Sequence, residues 1–398
     1  MKRARLAIFL IPATALLAAA SALLLTSGAA ALGPAPRVDP LMSPSRESLA
    51  PTPPMLGGMP ARAQPKRADP QREPGQPPTA NEAPHPGVAA YKQRGVALGM
   101  FSEDVSFSYA ALLREIAALG ATHVALIVPI YQTNGRTTDL AMHTRYSPTL
   151  ALVADTVRAA RREQLEVTVF PIVRLSDPAP GEWRGTLAPK NVHEWFKHYS
   201  DVLGDLAAVA AQTGATRLVI GSELSTLDGH LDEWRPVLER VRGLFAGRLV
   251  YSSNWDHYRD ARLFGLVDEE GVVAYFRLRE DAKAAFDVAA LESSWRRLES
   301  EIEQWHRDST HPLVFTEVGY RSRVGSTISP WDETPGGIPD MEEQRRAFSA
   351  FHRVWARSPY LDGAYIWNWY GWGGPQSHGY TPRGKPAAEE IRGLLQDL

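Results

Sequence analysis

Cysteine is absent from all 398 residues. Its absence removes disulfides, thiolate metal sites, iron–sulfur clusters and cysteine nucleophiles together. Net charge is nearly absent too: 43 Lys and Arg stand against 45 Asp and Glu, a formal charge of −2. Without a basic excess the chain lacks the charge that sequence-independent phosphate binding requires, so no nucleic-acid partner is expected. No Gly-rich phosphate fingerprint follows the first predicted strand, which argues against a dinucleotide fold. No H-E-x-x-H or comparable ligand spacing joins His123, His143, His257 and His378, and no G-x-S-x-G elbow occurs. Metal-dependent and serine-hydrolase chemistries are set aside on that ground, and neither metal nor cofactor is expected. What the chain does have is tryptophan. It carries 11 Trp beside 13 Tyr and 12 Phe, an unusual share of large flat side chains with one polar edge.

Composition changes along the chain. A basic start, Met1-Lys2-Arg3-Ala4-Arg5, leads into an apolar run from Leu6 to Leu25, with small residues at Ala29-Ala30-Ala31. Residues 1–31 therefore read as an export segment, either cleaved as a signal peptide or retained as a membrane tether through residues 6–25. From 32 to 90 the chain holds about half of its 31 Pro and few aromatic or β-branched residues. Such a segment cannot bury enough apolar surface to offset its ordering entropy, and is expected to be a disordered linker. The expected location is outside the cytoplasm: secreted, periplasmic, or tethered to the outer face of the cytoplasmic membrane.

Residues 91–398 alternate. Strand-length apolar runs recur at Val96–Met100, Thr122–Val128, Val167–Val173, Arg217–Ile220, Arg248–Tyr251, Gly271–Phe276, Pro312–Thr316 and Gly363–Trp369. Amphipathic helical stretches separate most of them: Tyr109–Leu119, Leu150–Glu163, Val192–Thr213, Leu231–Phe245, Val288–Arg307 and Met341–Arg357. That alternation predicts an α/β fold, a single (β/α)8 TIM barrel.

In such a barrel the chemistry sits at the C-terminal ends of the strands. The fourth run ends Gly221-Ser222-Glu223 and the seventh ends Phe315-Thr316-Glu317. The two Glu are three βα units apart at ~31 residues each. A carboxylate ending a buried run is costly unless it is used. Two of them across one mouth suit glycoside hydrolysis, one as acid and base, the other as nucleophile or activator of water. Candidate sugar contacts are Asn254 and Trp255 after the fifth run, Tyr275 in the sixth, and Trp367 and Trp369 in the eighth. Tyr131 and Gln132 after the second run and Trp183 after the third complete the set. Alternation puts Tyr365, Trp367 and Trp369 on one face. Flat rings of this kind stack on pyranose faces while amide and hydroxyl groups bond the hydroxyls. Phe276 and Trp295 read as core, and Arg94 as a structural residue at the barrel bottom.

The run Val314-Phe315-Thr316-Glu317-Val318-Gly319-Tyr320-Arg321-Ser322 resembles the seventh-strand motif of glycoside hydrolase family 113, a β-mannanase-like group in a retaining (β/α)8-barrel clan. Gly221-Ser222-Glu223-Leu224, Tyr251-Ser252-Ser253-Asn254-Trp255 and the closing Gly379 to Glu390 are similar to other parts of that pattern. The resemblance implies Glu223 as acid/base and Glu317 as nucleophile. It also implies a retaining endo-β-glycosidase acting on a β-linked polysaccharide, β-1,4-mannan first; with the leader the enzyme is expected to be exported, and a monomer is expected. A non-catalytic glycan-binding or envelope-associated barrel is the alternative. The sequence departs from the pattern at Ser222, where the clan usually has Asn, at the apolar third-strand end Phe170-Pro171-Ile172-Val173, and at Glu269-Glu270.

Overall fold

The computed structural model describes residues 92–398. The export segment 1–31, its apolar stretch 6–25 and the whole of the Pro-rich linker 32–90 lie outside the described residues. Eight parallel strands close on themselves in chain order, each pairing with the next and β8 returning to β1. The elements run β1 (Gln93–Gly99), α1 (Ala110–Ala118), β2 (His123–Gln132), α2 (Leu150–Arg162), β3 (Glu166–Leu175), α3 (Val192–Thr213), β4 (Arg217–Ser222) and α4 (Leu231–Leu244). They continue with β5 (Arg248–Asn254), β6 (Glu269–Val273), α5 (Val288–His306), β7 (Leu313–Val318), α6 (Met341–Trp355), β8 (Gly363–Ile366) and α7 (Ala387–Asp397). The (β/α)8 barrel expected from the sequence is the fold.

Each strand is apolar along its length because both faces are covered. Residues of one parity, such as Ala125 and Ile127 in β2, fill the barrel interior, while Val124, Leu126 and Val128 pack outward against the helices. Side-chain caps start four of the helices: Thr149, Asn191, Asp287 and Asp340 each accept a first-turn N–H, satisfying donors that would otherwise lack partners. Between β5 and β6 there is no α-helix, only the short 3-10 turns Tyr258–Asp260 and Arg262–Leu266. Helix α7 was not expected from the sequence. It packs beside α6 in the outer ring of helices, and Arg94 donates to its Leu395 carbonyl at 3.2 Å. Phe276 and Trp295 are core, as read.

The lower interior is sealed by polar side chains. Glu269 carboxylate oxygens accept from Gln93 Nε2 at 3.0 Å and Arg217 Nε at 3.0 Å, and lie 2.6 Å from Arg248 Nε. Tyr365 belongs to this layer and not to the mouth: its hydroxyl donates to Gln93 Oε1 at 2.8 Å. Only ≈ 10 Å³ of space remains there, about the room of a single water. The barrel is therefore a packed solid at this end and can receive a ligand only from the other.

Removing one member of a buried ionic cluster leaves the others desolvated and unpaired. Glu269→Ala should cost ~3–5 kcal/mol of unfolding free energy in urea titrations. Glu103→Ala, which breaks the exposed pair with Arg145, should cost no more than about 1 kcal/mol. Equal losses in the two variants would show that the cluster does not organise the barrel bottom.

Candidate active site

Glu223 and Glu317 stand at the C-terminal mouth, and strict alternation does not put them there. In β7, Phe315 and Val318 both pack outward against the helices. Two residues lie between them, so one extra residue has been accommodated. The pairing with β6 slips between Val272 and Val273, and that with β8 between Phe315 and Val318. This irregularity lets Thr316 and Glu317 both face inward. In β4 the register slips between Val219 and Gly221, and Glu223 follows the strand with φ 54°. A non-glycine residue in that left-handed region costs ~1–3 kcal/mol. The Glu223 N–H is held by the Ser252 carbonyl at 2.7 Å. β-bulges re-aim side chains beside active sites in this way.

Both carboxylates are buried. Arg184, from a 3-10 turn (Arg184–Thr186) in the connection between β3 and α3, pairs with Glu223 and acts on Glu317 through its charge. Its guanidinium Nη2 contacts Glu223 Oε2. Burial pushes Glu223 above the usual carboxylate range, and the Arg184 charge and hydrogen bond oppose that rise. Glu317 is also raised, first by burial and then by the charge of Glu223, with Arg184 and the Tyr275 hydroxyl pulling the other way. Tyr275 Oη donates to Glu317 Oε2 at 3.0 Å. Glu317 Oε1 and Trp367 Nε1 are buried without a protein partner. Buried polar atoms are nearly always satisfied, so an unpartnered acceptor and donor mark where a ligand's polar groups belong.

The other residues singled out in the sequence divide. Asn254 ends β5 and donates from Nδ2 to Asp256 at 2.8 Å. Trp255 stacks on Trp331 of the β7–α6 connection, ring centroids 4.8 Å apart. Trp367 lies in the inner cluster with Tyr275 and Tyr380. Tyr131 shares the inward parity of β2 at its C-terminal end, edge-on to the His143 ring at 5.4 Å. Trp183 stands half-exposed beside Arg184, its ring over Gly185. Two expectations are corrected. Gln132 faces outward, accepting from Trp195 Nε1 at 2.8 Å and donating to the Asn134 carbonyl at 2.7 Å, so its amide holds α3 and its own loop. Trp369 packs in the outer core, with Nε1 donating to Glu115 at 2.8 Å. Strand β8 ends at Ile366, so alternation no longer governs position 369.

Sequence reasoning missed Arg184, which lies in an aperiodic loop with nothing to distinguish it from a surface arginine. It also missed Trp331 and Glu333 in the β7–α6 connection. Arg321 donates to the carbonyls of Asp332 and Thr334, and Arg323 to those of Asp332, Thr334 and Gly336. The two guanidinium groups fasten that connection beside the mouth. Among the described residues, no group of three or more His, Asp or Glu is arranged to hold a metal ion.

Comparison with known proteins gives the site a context. The profile of Glycoside Hydrolase Family 113 matches residues 98–378. The GH113 β-mannanase AaManA of Alicyclobacillus acidocaldarius, solved with ManMIm, superposes with a TM-score of 0.67 at 24% identity, covering 77% of this chain and 97% of that one. A second GH113 β-1,4-mannanase superposes at 0.66 with 18% identity, over 77% and 99% of the two chains. A β-glucuronidase of Paenibacillus borealis is 23% identical over 181 residues, 44% of this chain and only 28% of that protein.

Arg184 favours the ionised form of both carboxylates, so deleting its charge should move both titrations upward. Carboxyl ¹³C shifts of Glu223 and Glu317 followed against pH in Arg184→Ala should show both midpoints at higher pH than in the wild type. Unchanged midpoints would mean that the ion pair does not form in solution.

Proposed function

The chain belongs to glycoside hydrolase family 113, and from that membership we propose that it is an exported, retaining endo-β-glycosidase acting on β-1,4-mannan. The observation that carries the reading is the pair of bulge-aimed carboxylates with unlike surroundings. Glu317 is held by the Tyr275 hydroxyl on one oxygen and has the other without a protein partner. Glu223 is held by a charged group, the Arg184 guanidinium from a 3-10 turn.

Those surroundings suit a double displacement. Glu317 Oε1 attacks the anomeric carbon as the glycosidic bond breaks, while Tyr275 steadies Oε2. Glu223 delivers its proton to the departing oxygen. The resulting glycosyl ester on Glu317 is cleaved by water, whose proton returns to Glu223 while its oxygen bonds to the anomeric carbon. For the first step the proton must be on Glu223 and the charge on Glu317. Contact with Arg184 favours the reverse, so the leaving-group oxygen has to take the place of Arg184 at Glu223 before reaction. Trp367, with its unpartnered Nε1, is placed to pack against the sugar undergoing attack.

Mannan is the first choice because the superposing GH113 structures are β-mannanases and the mouth offers aromatic faces and few charges free to bind an ionic sugar. Export is supported by the basic start, the apolar 6–25 run and the Pro-rich linker. The mature N-terminus, read by mass spectrometry, distinguishes a cleaved leader from a retained tether.

Glu317→Ala should abolish turnover of every substrate. Glu223→Ala should lose on the order of 10²–10⁴ in rate on a polysaccharide, the usual contribution of a general acid. The same variant should still react with a nitrophenyl glycoside, stall, and be rescued by azide to give a β-glycosyl azide. An α-azide from Glu223→Ala would reverse the two roles. Wild-type hydrolysis followed by NMR should release a β-anomer first, and an α-anomer would make the mechanism inverting. Because Arg184 depresses both titrations, Arg184→Ala should move the whole bell of kcat/KM to higher pH.

A further inference from the structure

We propose that Asp228 and His257 are a positioning pair for Glu223. By tying the connection after β4 to the connection after β5, they hold the acid/base carboxyl where it can protonate the departing oxygen. The proposal rests on the glycosidase reading above but not on mannan as the substrate.

Glu223 needs such help because it lies beyond the end of β4, with φ 54°. A non-glycine residue stays in that region only where its surroundings over-determine it. Before Glu223, the grip is the Ser252 carbonyl, which accepts its N–H at 2.7 Å. After Glu223 the chain turns tightly, and the N–H groups of Leu227 and Asp228 both donate to the Leu224 carbonyl, at 2.8 and 2.9 Å. Three side-chain contacts then fix where this turn sits. Thr226 Oγ1 donates to the Leu187 carbonyl at 2.6 Å, just past the turn that carries Arg184. Trp234 Nε1, from α4, donates to the Leu227 carbonyl at 3.0 Å. Asp228 Oδ2 pairs with His257 Nε2 at 2.9 Å.

The third contact differs from the other two in what it demands. Asp228 is buried, and a carboxyl group in that position is costly without a partner. Burial pushes it above the usual carboxylate range, and His257 first, then the Tyr251 hydroxyl and Arg262, draw it back. His257 belongs to the continuation of β5, the strand whose Ser252 already holds the Glu223 N–H. One strand and its extension therefore grip the acid/base residue from both sides, Ser252 before it and His257 after it. Asn254 and Trp255 lie on the same stretch, so the tie also keeps Glu223 in register with two residues read as facing the sugar. A displacement of ~1 Å in such a group can cost about 10² in rate.

The test exploits the leaving group. Aryl glycosides of the sugar that the wild type cleaves are compared with phenol, which must be protonated to depart, and with dinitrophenol, which need not be. In His257→Ala, kcat/KM for the phenyl glycoside should fall roughly 10- to 100-fold, while that for the dinitrophenyl glycoside stays within about twofold. Asp228→Asn, which keeps the shape of the turn, should show the same split in smaller degree. His257→Gln, whose amide can donate to Asp228, should recover most of the loss. Equal losses on both glycosides, or no loss on either, would overturn the positioning role. Amide hydrogen exchange gives a second readout that needs no substrate: residues 223–228 should exchange roughly tenfold or more faster in His257→Ala, with β4 unchanged. Unaltered exchange would overturn the tie itself. A wild type that cleaves no glycoside would overturn the glycosidase reading, and exchange would still decide whether the pair holds the turn.

Discussion

Two carboxylates buried together at one barrel mouth cannot both be charged without a cation between them. Coulomb repulsion in a low-dielectric site would otherwise force a proton onto one of the pair. Arg184 is the cation at this mouth: it pairs with Glu223 and opposes, without cancelling, the rise that burial imposes on both carboxyl groups. The β3–α3 connection has to turn inward through a short 3-10 segment to deliver the guanidinium. The strands on either side have to slip register to aim their Glu toward it. The charge of Glu223 acts on Glu317 and that of Arg184 acts on both, so which carboxyl group holds the proton is a property of the set.

The barrel divides stability from chemistry along its axis. At the bottom, Glu269 meets Gln93, Arg217 and Arg248 in a cluster that gives the buried carboxylate its partners and whose remaining space is that of one water. At the top, donors and acceptors are left over. Glu317 Oε1 and Trp367 Nε1 have no protein partner, and Glu223 accepts an unfavourable backbone conformation. The replacement of the family's usual pair by Glu269-Glu270 has its explanation here for Glu269, which anchors the lower cluster. Glu270 faces away from the barrel, where Ser309 donates to it at 2.9 Å.

Much of this could be read from the chain alone, for physical reasons that also explain the failures. Period is legible wherever one element buries a regular face, so all eight strands and helices α1 to α6 were placed within a few residues. The two Glu stand out because a carboxylate ending an apolar run is costly without a partner, and Glu223 has one in Arg184. Alternation was then trusted past the end of its ladder. Trp369 was assigned to the mouth with Trp367, yet β8 stops at Ile366 and the indole turns out to brace Glu115. Gln132 failed for a subtler reason: its neighbour Tyr131 has the inward parity, so Gln132 must have the outward one. Arg184 had no signal of any kind, because a loop residue's partner is set by tertiary structure and leaves no local pattern. Tyr275 keeps the inward parity of Val273 beyond the end of β6, and its hydroxyl donates to Glu317.

The clamp on the β7–α6 connection has a consequence for how this protein can change. Arg321 and Arg323 grip backbone oxygens of Asp332, Thr334 and Gly336, and a carbonyl is the same whatever side chain its residue bears. Most of what holds the connection in place is therefore blind to the identity of the residues it holds. Selection, or a protein engineer, can rewrite position 333 or 335 and alter what the mouth prefers while the loop keeps its path. The determinants of shape and of taste are carried by different atoms of the same segment, and that separation leaves a rigid enzyme free to acquire new substrates.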